Sequence, residues 1–353
     1  MKRVRVWIVG LGTVGQWLVR TLGEHRATLG ERYALSFDVV GLANLRDGFV
    51  YREQGIDIRP ALRMTGAGGS LRDLEGVAAW PTALDGIRAT EADVLVEVSA
   101  SPAASGEPGL SHLQEALRRG IPAVTSNKWP IALHGVQLTA LARSRSTLLR
   151  AESTVMSGTP VLSTLNDGLA GARPTAIRGV LNATANFVLS EMAGGKRYDD
   201  AVTDAQRRGL AERDPSDDLD GHDSVAKVMI LAALVLRRQL RRDDVSRRGI
   251  SSIDDDAVSQ ATAEGLTVRE VATLGPSNGR PGSLIGRVEP VALSNDDLLA
   301  RVDGTDNAVV CQADPLGEIA VRGPGAGVSM AGQGVLSDLI NVALRSGVPA
   351  TDC

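Results

Sequence analysis

A lysine and a carboxylate four residues apart, at the start of an apolar run, are the side chains of this sequence best suited to move a proton. They are Lys227 and Asp223, and the stretch before them also carries Glu212 and Asp218. Lysine is rare in this chain of 353 residues: of 38 basic residues, four are lysine, namely Lys2, Lys128, Lys196 and Lys227. Arginine keeps its proton near neutral pH, whereas a partly buried lysine can release one. Lys227 is therefore a candidate proton donor.

The spacing of Asp223 and Lys227 predicts that they share one face of a helix. Asp223 would lie in the first turn, where the helix dipole favours a negative charge. We expect Asp220 to be the N-cap of this helix and 216–221 to form a loop before it. A plain surface ion pair, worth only a few tenths of a kcal/mol, is the alternative. The apolar residues around Lys227 favour the functional interpretation; they are Val225, Val228, Met229 and Leu231.

A glycine-rich turn follows the first apolar segment, Val4 to Val9, and precedes a helical pattern. Glycines in this context let the backbone approach a pyrophosphate and direct helix N–H groups at it. The segment therefore predicts dinucleotide binding by the turn itself, through Gly10, Gly12, Thr13, Val14 and Gly15. A tight strand-to-helix turn that binds no ligand is the alternative.

The end of the second predicted strand, Phe37 to Ala43, bears on the choice of dinucleotide. An acidic residue there would hold the ribose hydroxyls of NAD, but Asn44 stands at that place. Arg46 could meet the 2′-phosphate of NADP. The pattern slightly favours NADP over NAD, with a solvated Arg46 as the alternative.

Polar side chains also follow two further buried strands, Val94 to Val98 and Ile121 to Thr125. Ligands of parallel sheets bind at the carboxyl ends of the strands. Ser99 would offer a hydroxyl near the nicotinamide end of a dinucleotide, and Ser126 and Lys128 follow the other strand. A surface lysine in a loop is the alternative for Lys128.

A turn rich in small and hydroxyl-bearing residues runs from Glu152 to Pro160. One carboxylate together with turned backbone carbonyls suits a hard cation. An ordinary strand-to-helix turn, with Pro160 at the first helical position, is the alternative.

Two domains are expected around these segments. Alternating helices and non-alternating apolar strands predict a Rossmann-type doubly wound parallel sheet over 1–146, completed by a C-terminal helix over 325–353. Residues 45–90 read as irregular. The different pattern over 147–324 predicts a second, α+β domain for substrate binding and dimerisation. Its expected elements are strands at 148–150, 176–181 and 319–322, helices at 185–193, 198–208 and 222–236, and a loop at 276–283.

Composition narrows the class of protein. Apolar residues make up 43% of the chain and charged residues 23%, values that are ordinary for a soluble globular protein. A net charge of -4 provides no basic surface for nucleic acid. The longest apolar run, Val228 to Leu236, is far shorter than the ~20 residues of a membrane span. Two cysteines and no secretory leader at the N-terminus agree with a cytoplasmic protein. We therefore expect neither a nucleic-acid nor a membrane partner.

Taken in order, these segments resemble homoserine dehydrogenase over nearly the whole chain. The stretch with Asp214-Pro215, Asp218, Gly221, Asp223 and Lys227 is specific to that family, whereas the glycine turn is not. The other matching segments are 10–15, 125–132, 152–160, and 323–327 followed by 335–340.

The resemblance implies that a homodimer interconverts L-aspartate 4-semialdehyde and L-homoserine with NAD(P)H. It implies Lys227 as proton donor, aided by Asp223 and Lys128, and substrate contacts at Glu212, Asp223, Thr184 and Asp218. It implies cofactor contacts that include Lys128, Gly209 and Gly327. It also implies a sodium ion held by Glu152 and by the carbonyls of Val155, Ser157 and Thr159.

Three residues depart from the family pattern. Ala183 and Ala185 stand where the family usually has Gly and Thr, and Trp129 replaces a small residue after Lys128. They leave open the alternative that the chain is an oxidoreductase acting on another amino-acid semialdehyde or ketone. A catalytically inactive NAD(P)-binding relative is the other alternative, although keeping Lys128 and Lys227 argues against it. Many relatives add a C-terminal regulatory domain; since this chain ends at Cys353, we expect the short form.

Overall fold

The computed structural model describes residues 1–276 and 283–345, which form two compact units. One unit contains Met1–Thr154 together with the chain from Gly327 onward, and the other contains Val155–Ala326. The loop predicted at 276–283 lies, apart from its two end residues, outside the described residues. The last eight positions of the C-terminal helix predicted over 325–353 also lie outside them.

The first unit alternates strands and helices. Its strands are β1 (Lys2–Val9), β2 (Leu35–Asn44), β3 (Gly48–Tyr51), β4 (Ala78–Trp80), β5 (Val94–Glu97), β6 (Ala123–Thr125) and β7 (Leu149–Arg150). Its helices before β7 are α1 (Thr13–Glu24), α2 (Arg26–Tyr33), α3 (Ile58–Gly66), α4 (Ala83–Ala89), α5 (Gly109–Arg118) and α6 (Lys128–Ser144).

The strands of this unit form one sheet in the order β4-β3-β2-β1-β5-β6-β7. The five strands from β2 to β7 in that order are parallel, as expected. In the middle of the sheet, Val6, Trp7 and Ile8 of β1 are fully buried. Consecutive buried residues mean that both faces of the strand are covered, which is the reason for its non-alternating apolar sequence.

Residues 45–90 are not irregular, and that prediction was wrong. They contain β3, α3, β4 and α4, and the two strands pair antiparallel at the edge of the sheet. Strands of four and three residues are too short for a periodic pattern to be recognised in the sequence. The sheet is therefore parallel at its centre and antiparallel at one edge.

The second part of the chain combines short helices with long strands. After α7 (Ser153–Met156), its helices are α8 (Val161–Ser163), α9 (Ala183–Ala193), α10 (Tyr198–Arg207), α11 (Ser216–Leu219), α12 (His222–Leu234) and α13 (Asp255–Ala263). Its strands are β8 (Arg173–Val180), β9 (Val245–Arg247), β10 (Leu266–Pro276), β11 (Leu284–Ser294), β12 (Asp306–Asp314) and β13 (Gly317–Pro324). The helix α14 (Val328–Arg345) follows and belongs to the first unit.

The second sheet has the order β13-β12-β8-β10-β11-β9 and is antiparallel except between β11 and β9. Every residue of α12 from Ser224 to Leu234 is buried. A helix that is apolar on all sides belongs in a protein core. The Lys227 side chain is thus carried on the most deeply buried helix of this unit. Within the described residues, no helix combines the length and apolarity that a bilayer crossing requires.

Candidate active site

Lys227 and Asp223 form an ion pair on the first two turns of α12. The Lys227 ammonium lies 2.8 Å from Asp223 Oδ2 and donates a 2.6 Å hydrogen bond to the main-chain carbonyl of Leu181. Only 7% of Lys227 is exposed. The plain surface pair that the sequence left open does not describe this geometry, because both partners are largely removed from water.

A hydrogen-bond network extends from this pair across the start of α9. The side-chain amide of Asn182 donates to Asp223 Oδ2 at 3.2 Å and to Asp218 Oδ1 at 2.7 Å. The hydroxyl of Thr184 lies 3.1 Å from Asp218 Oδ2 and 2.9 Å from the carbonyl of Leu210. Three elements, α9 with its N-cap, α11 and α12, therefore place five polar side chains, including that of Lys227, in one connected cluster.

The start of α12 differs from the prediction. Its N-cap is Gly221, with a φ of +77°, and Asp220 ends the preceding helix α11 instead. The carboxylate of Asp220 accepts from the Ser251 hydroxyl. The left-handed backbone at the cap favours glycine, and it turns the chain from one helix directly into the next. The loop expected over 216–221 is therefore mostly helix.

Glu212 and Gly209 lie apart from the network. Both are exposed in the turn after α10, where the carbonyl of Glu212 accepts a 3.2 Å bond from Gln206. Within the described part of the chain, the carboxylate of Glu212 bonds to none of the network's members. It is thus an exposed acid that a ligand could recruit.

Asn182 is a member of the network that the sequence reasoning did not single out. Its Oδ1 accepts from the N–H of Ala185 at 2.8 Å, so it also caps α9. An asparagine before a helical pattern is the sequence signal for this position. Ala183 and Ala185 occupy the first turn of the same helix and are buried.

Two further buried polar groups contact residues around Lys227. Asn307 donates to the same Leu181 carbonyl as the lysine does, at 2.6 Å. Glu270, on β10, accepts a 2.6 Å bond from Ser224, the residue after Asp223. Neither residue was singled out from the sequence, since the strands that carry them, β10 and β12, were not predicted.

In the first unit, the glycine turn has the form expected of a phosphate cradle. A Cβ on Gly10, whose φ is +107°, would stand 2.6 Å from the N–H of Ser99, and a Cβ on Gly15 would overlap the Gly10 carbonyl. A Cβ on Gly12, the N-cap of α1, would meet no atom within 4 Å, and no side chain caps the helix there. Open space beside uncapped helix N–H groups fits a pyrophosphate. Thr13 and Val14 begin the helix.

The end of β2 is held by a buried carboxylate that the sequence reasoning did not include. Asp47 accepts from the Asn44 amide at 2.8 Å and from the N–H of Leu71 at 3.1 Å. Arg46 lies 3.2 Å from the same carboxylate, donates to the Gly68 carbonyl at 2.8 Å, and leaves about half of its side chain exposed. These hydrogen bonds hold the pKa of Asp47 well below its usual range, against the opposing effect of burial.

The carboxyl ends of β5 and β6 share a second buried carboxylate, Glu97. It accepts from both the N–H and the hydroxyl of Ser99, and its main-chain carbonyl accepts from Thr125 Oγ1 at 2.7 Å. His112 Nδ1 lies 3.7 Å from the same carboxylate. The Ser99 hydroxyl therefore points inward to Glu97. Ser126, one residue beyond β6, donates its N–H to the Glu97 carbonyl at 3.3 Å.

Lys128 and Trp129 begin α6 directly after these strand ends and are half-buried. Asn127, the N-cap of that helix, donates to the Ser101 hydroxyl at 2.7 Å. Gly327 immediately precedes α14, and its carbonyl accepts from the N–H of Ala331 at 2.9 Å.

The candidate cation ligands fall in both units. Glu152 belongs to the first unit, where it is buried and its N–H donates to Asp338 at 2.8 Å. Val155, Ser157 and Thr159 belong to the second unit. There, the hydroxyls of Ser157 and Thr159 each donate at 3.0 Å to a carbonyl of the segment 324–325. Their hydroxyls are thus engaged, and the carbonyl of Thr159 accepts a 2.8 Å bond from the N–H of Val161.

Comparison with known proteins accounts for both units. Residues 10–152 match the family model described as the NAD-binding domain of homoserine dehydrogenase, and residues 160–340 match the model described as homoserine dehydrogenase. The two matches cover most of the chain.

Individual relatives agree with the family models. The NAD(+)-dependent homoserine dehydrogenase of Pseudomonas canavaninivorans is 36% identical, over 97% of each chain. The homoserine dehydrogenase of Methanocaldococcus jannaschii is 31% identical, over 95% of this chain and 97% of its own.

Solved structures show the same similarity. A putative homoserine dehydrogenase from Archaeoglobus fulgidus superposes with a TM-score of 0.84 at 30% identity, covering 96% of this chain and 99% of its own. A hyperthermophilic archaeal homoserine dehydrogenase in complex with NADPH gives a TM-score of 0.80 at 31% identity, covering 98% of each chain. The expected fold class is confirmed, and the chain belongs to the homoserine dehydrogenase family of NAD(P)-dependent oxidoreductases, which act on a CH–OH group.

Proposed function

We propose that Lys227 is the proton donor when this chain interconverts L-aspartate 4-semialdehyde and L-homoserine. The observation that supports this role is the buried ion pair between Lys227 and Asp223 on α12. An ammonium has three N–H donors. Within the described residues, Lys227 directs two of them at Leu181 and Asp223, which leaves one for the oxygen of a substrate.

When bound, the nicotinamide supplies the hydride for reduction or accepts it for oxidation. In the direction of reduction, Lys227 gives its proton to the carbonyl oxygen as negative charge develops there. The positive charge of Lys227 also stabilises that developing charge. Asp223 holds the ammonium in place, and Asn182 holds Asp223. By resemblance to the family, Lys128 is assigned as a second lysine near the reacting ends of the cofactor and the substrate.

The remaining polar residues bind the two ends of the amino acid in this proposal. Glu212 meets the substrate ammonium, and its exposed carboxylate suits that role. Thr184 binds the substrate carboxylate, and Asp218 binds the substrate ammonium. Because they already contact one another, their orientation is set before substrate arrives.

We propose NADP as the preferred cofactor and NAD as the alternative. Gly10, Gly12, Thr13, Val14 and Gly15 would hold the pyrophosphate, and the open space at Gly12 supports this. The other proposed contacts are Asn44, Arg46, Ser99, Ser126, Lys128, Gly209 and Gly327.

The preference for NADP depends on Arg46, whose guanidinium is fixed beside the end of β2. The names of relatives support both cofactors, since one is an NAD(+)-dependent enzyme and another is a complex with NADPH.

Resemblance to the family supports three further parts of the proposal: the roles of the two domains, the homodimer and a bound sodium ion. The dinucleotide domain comprises 1–146 and the C-terminal helix, and 147–324 forms the substrate and dimerisation domain of a cytoplasmic homodimer. A sodium ion would use Glu152 and the carbonyls of Val155, Ser157 and Thr159. Flame emission from the dialysed protein, with a Glu152→Gln variant for comparison, would test for this ion.

The variant Lys227→Arg tests the role of the lysine. Arginine keeps the positive charge but does not release a proton at neutral pH. In oxidation of homoserine the same group must accept the hydroxyl proton, and loss of general acid–base catalysis costs about 10²–10⁴ in rate, so we expect kcat with homoserine to fall by that factor while cofactor affinity is kept. The matched control is Lys196→Arg, because Lys196 pairs with Glu191 and Asp204 on the surface of the same unit. A Lys227 variant that retains more than about a tenth of the wild-type kcat would show that another group donates the proton.

A different semialdehyde or ketone is the second candidate substrate, because the methyl group of Ala183 lies buried beside Thr184. Steady-state rates over a panel of amino-acid semialdehydes distinguish the two candidates. Absence of any change in nicotinamide absorbance with every member of the panel would indicate an inactive relative.

A further inference from the structure

Glu270 is a buried carboxyl group that the reaction described above does not use. It lies on β10 with 2% of its surface exposed. Its Oε1 accepts the 2.6 Å bond from the Ser224 hydroxyl, and its Oε2 has no hydrogen-bond partner among the described residues. A carboxylate buried with one hydrogen bond is costly, so some compensating feature of its surroundings must account for it.

The unpartnered oxygen faces the first turn of α12. A Cβ placed on Gly221, the N-cap of that helix, would stand 3.3 Å from Glu270 Oε2 and 3.1 Å from Val288. No side chain caps the helix at this point, and Asp223 is the acidic residue of its first turn, so the partial positive charge of the helix N-terminus acts on both carboxyl groups. A negative charge on Glu270 would therefore interact with the N-terminus of α12, the helix that carries Asp223 and Lys227.

Burial raises the pKa of Glu270 to about 7, with the Ser224 hydrogen bond opposing this effect. The charges of Asp223 and Asp218 raise it further, and the charge of Lys227 lowers it. Electrostatic interaction is mutual, so a charge on Glu270 acts on Lys227 in turn. The charged groups on elements packed around this site are Asp223 and Lys227 on α12, Asp218 on α11, Arg247 on β9, Glu191 on α9 and Asp255 on α13.

We propose that Glu270 is a positioning residue that controls the protonation of Lys227 from behind α12, through its own charge and its bond to Ser224, without touching substrate. The inference rests on the proposed role of Lys227. Among these charged groups, Glu191 pairs with Lys196 and Asp255 accepts from the N–H of Tyr198, so both are already engaged elsewhere.

The expected consequence is a shift in the pH dependence of homoserine oxidation. In that direction Lys227 must first be uncharged, so that it can take the proton of the substrate hydroxyl. A negative charge on Glu270 favours the charged form of the lysine and delays its deprotonation to higher pH. Removal of that charge moves deprotonation of Lys227, and with it the rise of kcat/KM, to lower pH.

The experiment measures kcat/KM for homoserine against pH in wild type and in Glu270→Gln. Glutamine keeps the shape of the side chain and an oxygen for Ser224, but it has no charge. We expect the midpoint of the rise to fall by at least about half a pH unit. The matched control is Glu289→Gln on β11. Glu289 pairs with Val271, the neighbour of Glu270, so it lies on the opposite face of the sheet and should leave the midpoint unchanged.

A second measurement separates this inference from the proposed role of Lys227. Acetic anhydride at trace concentration acetylates only uncharged amines, and with four lysines in the chain peptide mass mapping resolves each one. We expect the labelling midpoint of Lys227 to move to lower pH in Glu270→Gln and not in Glu289→Gln. If labelling shifts but kcat/KM does not, the influence of Glu270 stands and the catalytic role of Lys227 fails.

The variant Ser224→Ala covers the case in which Glu270→Gln does not fold. It keeps the carboxyl group but removes its hydrogen-bond donor, so the neutral form of Glu270 persists to higher pH. We expect the same direction of change in the Lys227 labelling midpoint, by a smaller amount. Identical labelling midpoints in wild type, Ser224→Ala and Glu270→Gln would overturn the inference.

Discussion

The buried carboxyl group of Glu270 predicts how the stability of this protein depends on pH. Its pKa is raised to about 7 in the folded chain, from 4.5 as a reference for the unfolded chain. Below the reference value both states hold the proton, and Glu270 adds no pH dependence. As pH rises between the two values, the unfolded chain loses the proton while the folded chain keeps it. Folding stability must therefore fall over this interval and level off above it.

The size of the effect follows from the same two values. A tenfold change in an acidity constant corresponds to about 1.4 kcal/mol, so full ionisation of Glu270 destabilises the folded state by about 3 kcal/mol. Part of that loss has already occurred at pH 5, and we expect about 2 kcal/mol between pH 5 and pH 8. The variant Glu270→Gln has no proton to lose. Its free energy of unfolding should therefore gain about 2 kcal/mol relative to wild type over that interval.

Urea unfolding at fixed protein concentration, followed by circular dichroism at several pH values, measures this difference. Comparing the variant with wild type at each pH removes the contributions of all other titrating groups, and it also removes any constant cost of the substitution. Glu289→Gln serves as the control, because it removes a carboxylate from the neighbouring strand on the opposite face of the sheet. Parallel curves for wild type and Glu270→Gln between pH 5 and pH 8 would refute the reasoning, since Glu270 would then have to be hydrated.

Three further predictions concern ligand binding. Glu212→Gln should raise the KM for homoserine far more than that for the cofactor, because a charge-assisted bond is worth about 1.5–3 kcal/mol; equal changes would place Glu212 outside the substrate pocket. Arg46→Ala should weaken NADP more than NAD, and equal loss measured by fluorescence titration would contradict its role at the 2′-phosphate. Gly12→Ala, whose Cβ enters open space, should fold normally but bind cofactor weakly, whereas Gly15→Ala should lower the melting temperature because its Cβ overlaps a carbonyl. Normal cofactor affinity in Gly12→Ala would show that no phosphate occupies that space.

The sequence was sufficient for the features that depend on local spacing. Asp223 and Lys227 were expected on one helix face because they are four apart, and they form the pair. The glycine turn after β1 was expected from its position between a buried strand and a helix. These patterns depend on the regular geometry of a single element or of two consecutive elements, and the spacing of residues along the chain is enough to recognise that geometry.

Features that depend on contacts between distant segments were not accessible in this way. Asp220 was expected to cap α12, but the direct transition from α11 put Gly221 there. The strands β10, β11 and β12 were not predicted, and the pairing of β10 and β12 with β8 joins segments that are far apart in sequence. Asn307 reaches the Leu181 carbonyl only through that pairing.

One signal for Glu270 was nevertheless present in the sequence. On a strand, alternate residues share a face, and the face of β10 that includes Glu270 is otherwise apolar, with Leu266, Val268, Ala272 and Leu274. A single carboxyl group in such a row is an exception to the pattern of a buried face. The strand had to be recognised before the exception could be seen, and a run that also contains Thr267 and Arg269 does not read as a buried strand.

The formal charges around Lys227 connect its position with the substrate assigned to it. Asp218 and Asp223 carry two negative charges and Lys227 one positive charge, so the network is left with one negative charge. A second negative charge from Glu270 in the same buried region would be costly unless it were balanced. The raised pKa of Glu270 avoids that cost below about pH 7. The ammonium of an amino-acid substrate would balance the charge that remains, which favours an amino acid over an uncharged hydroxy compound as the ligand of this cluster.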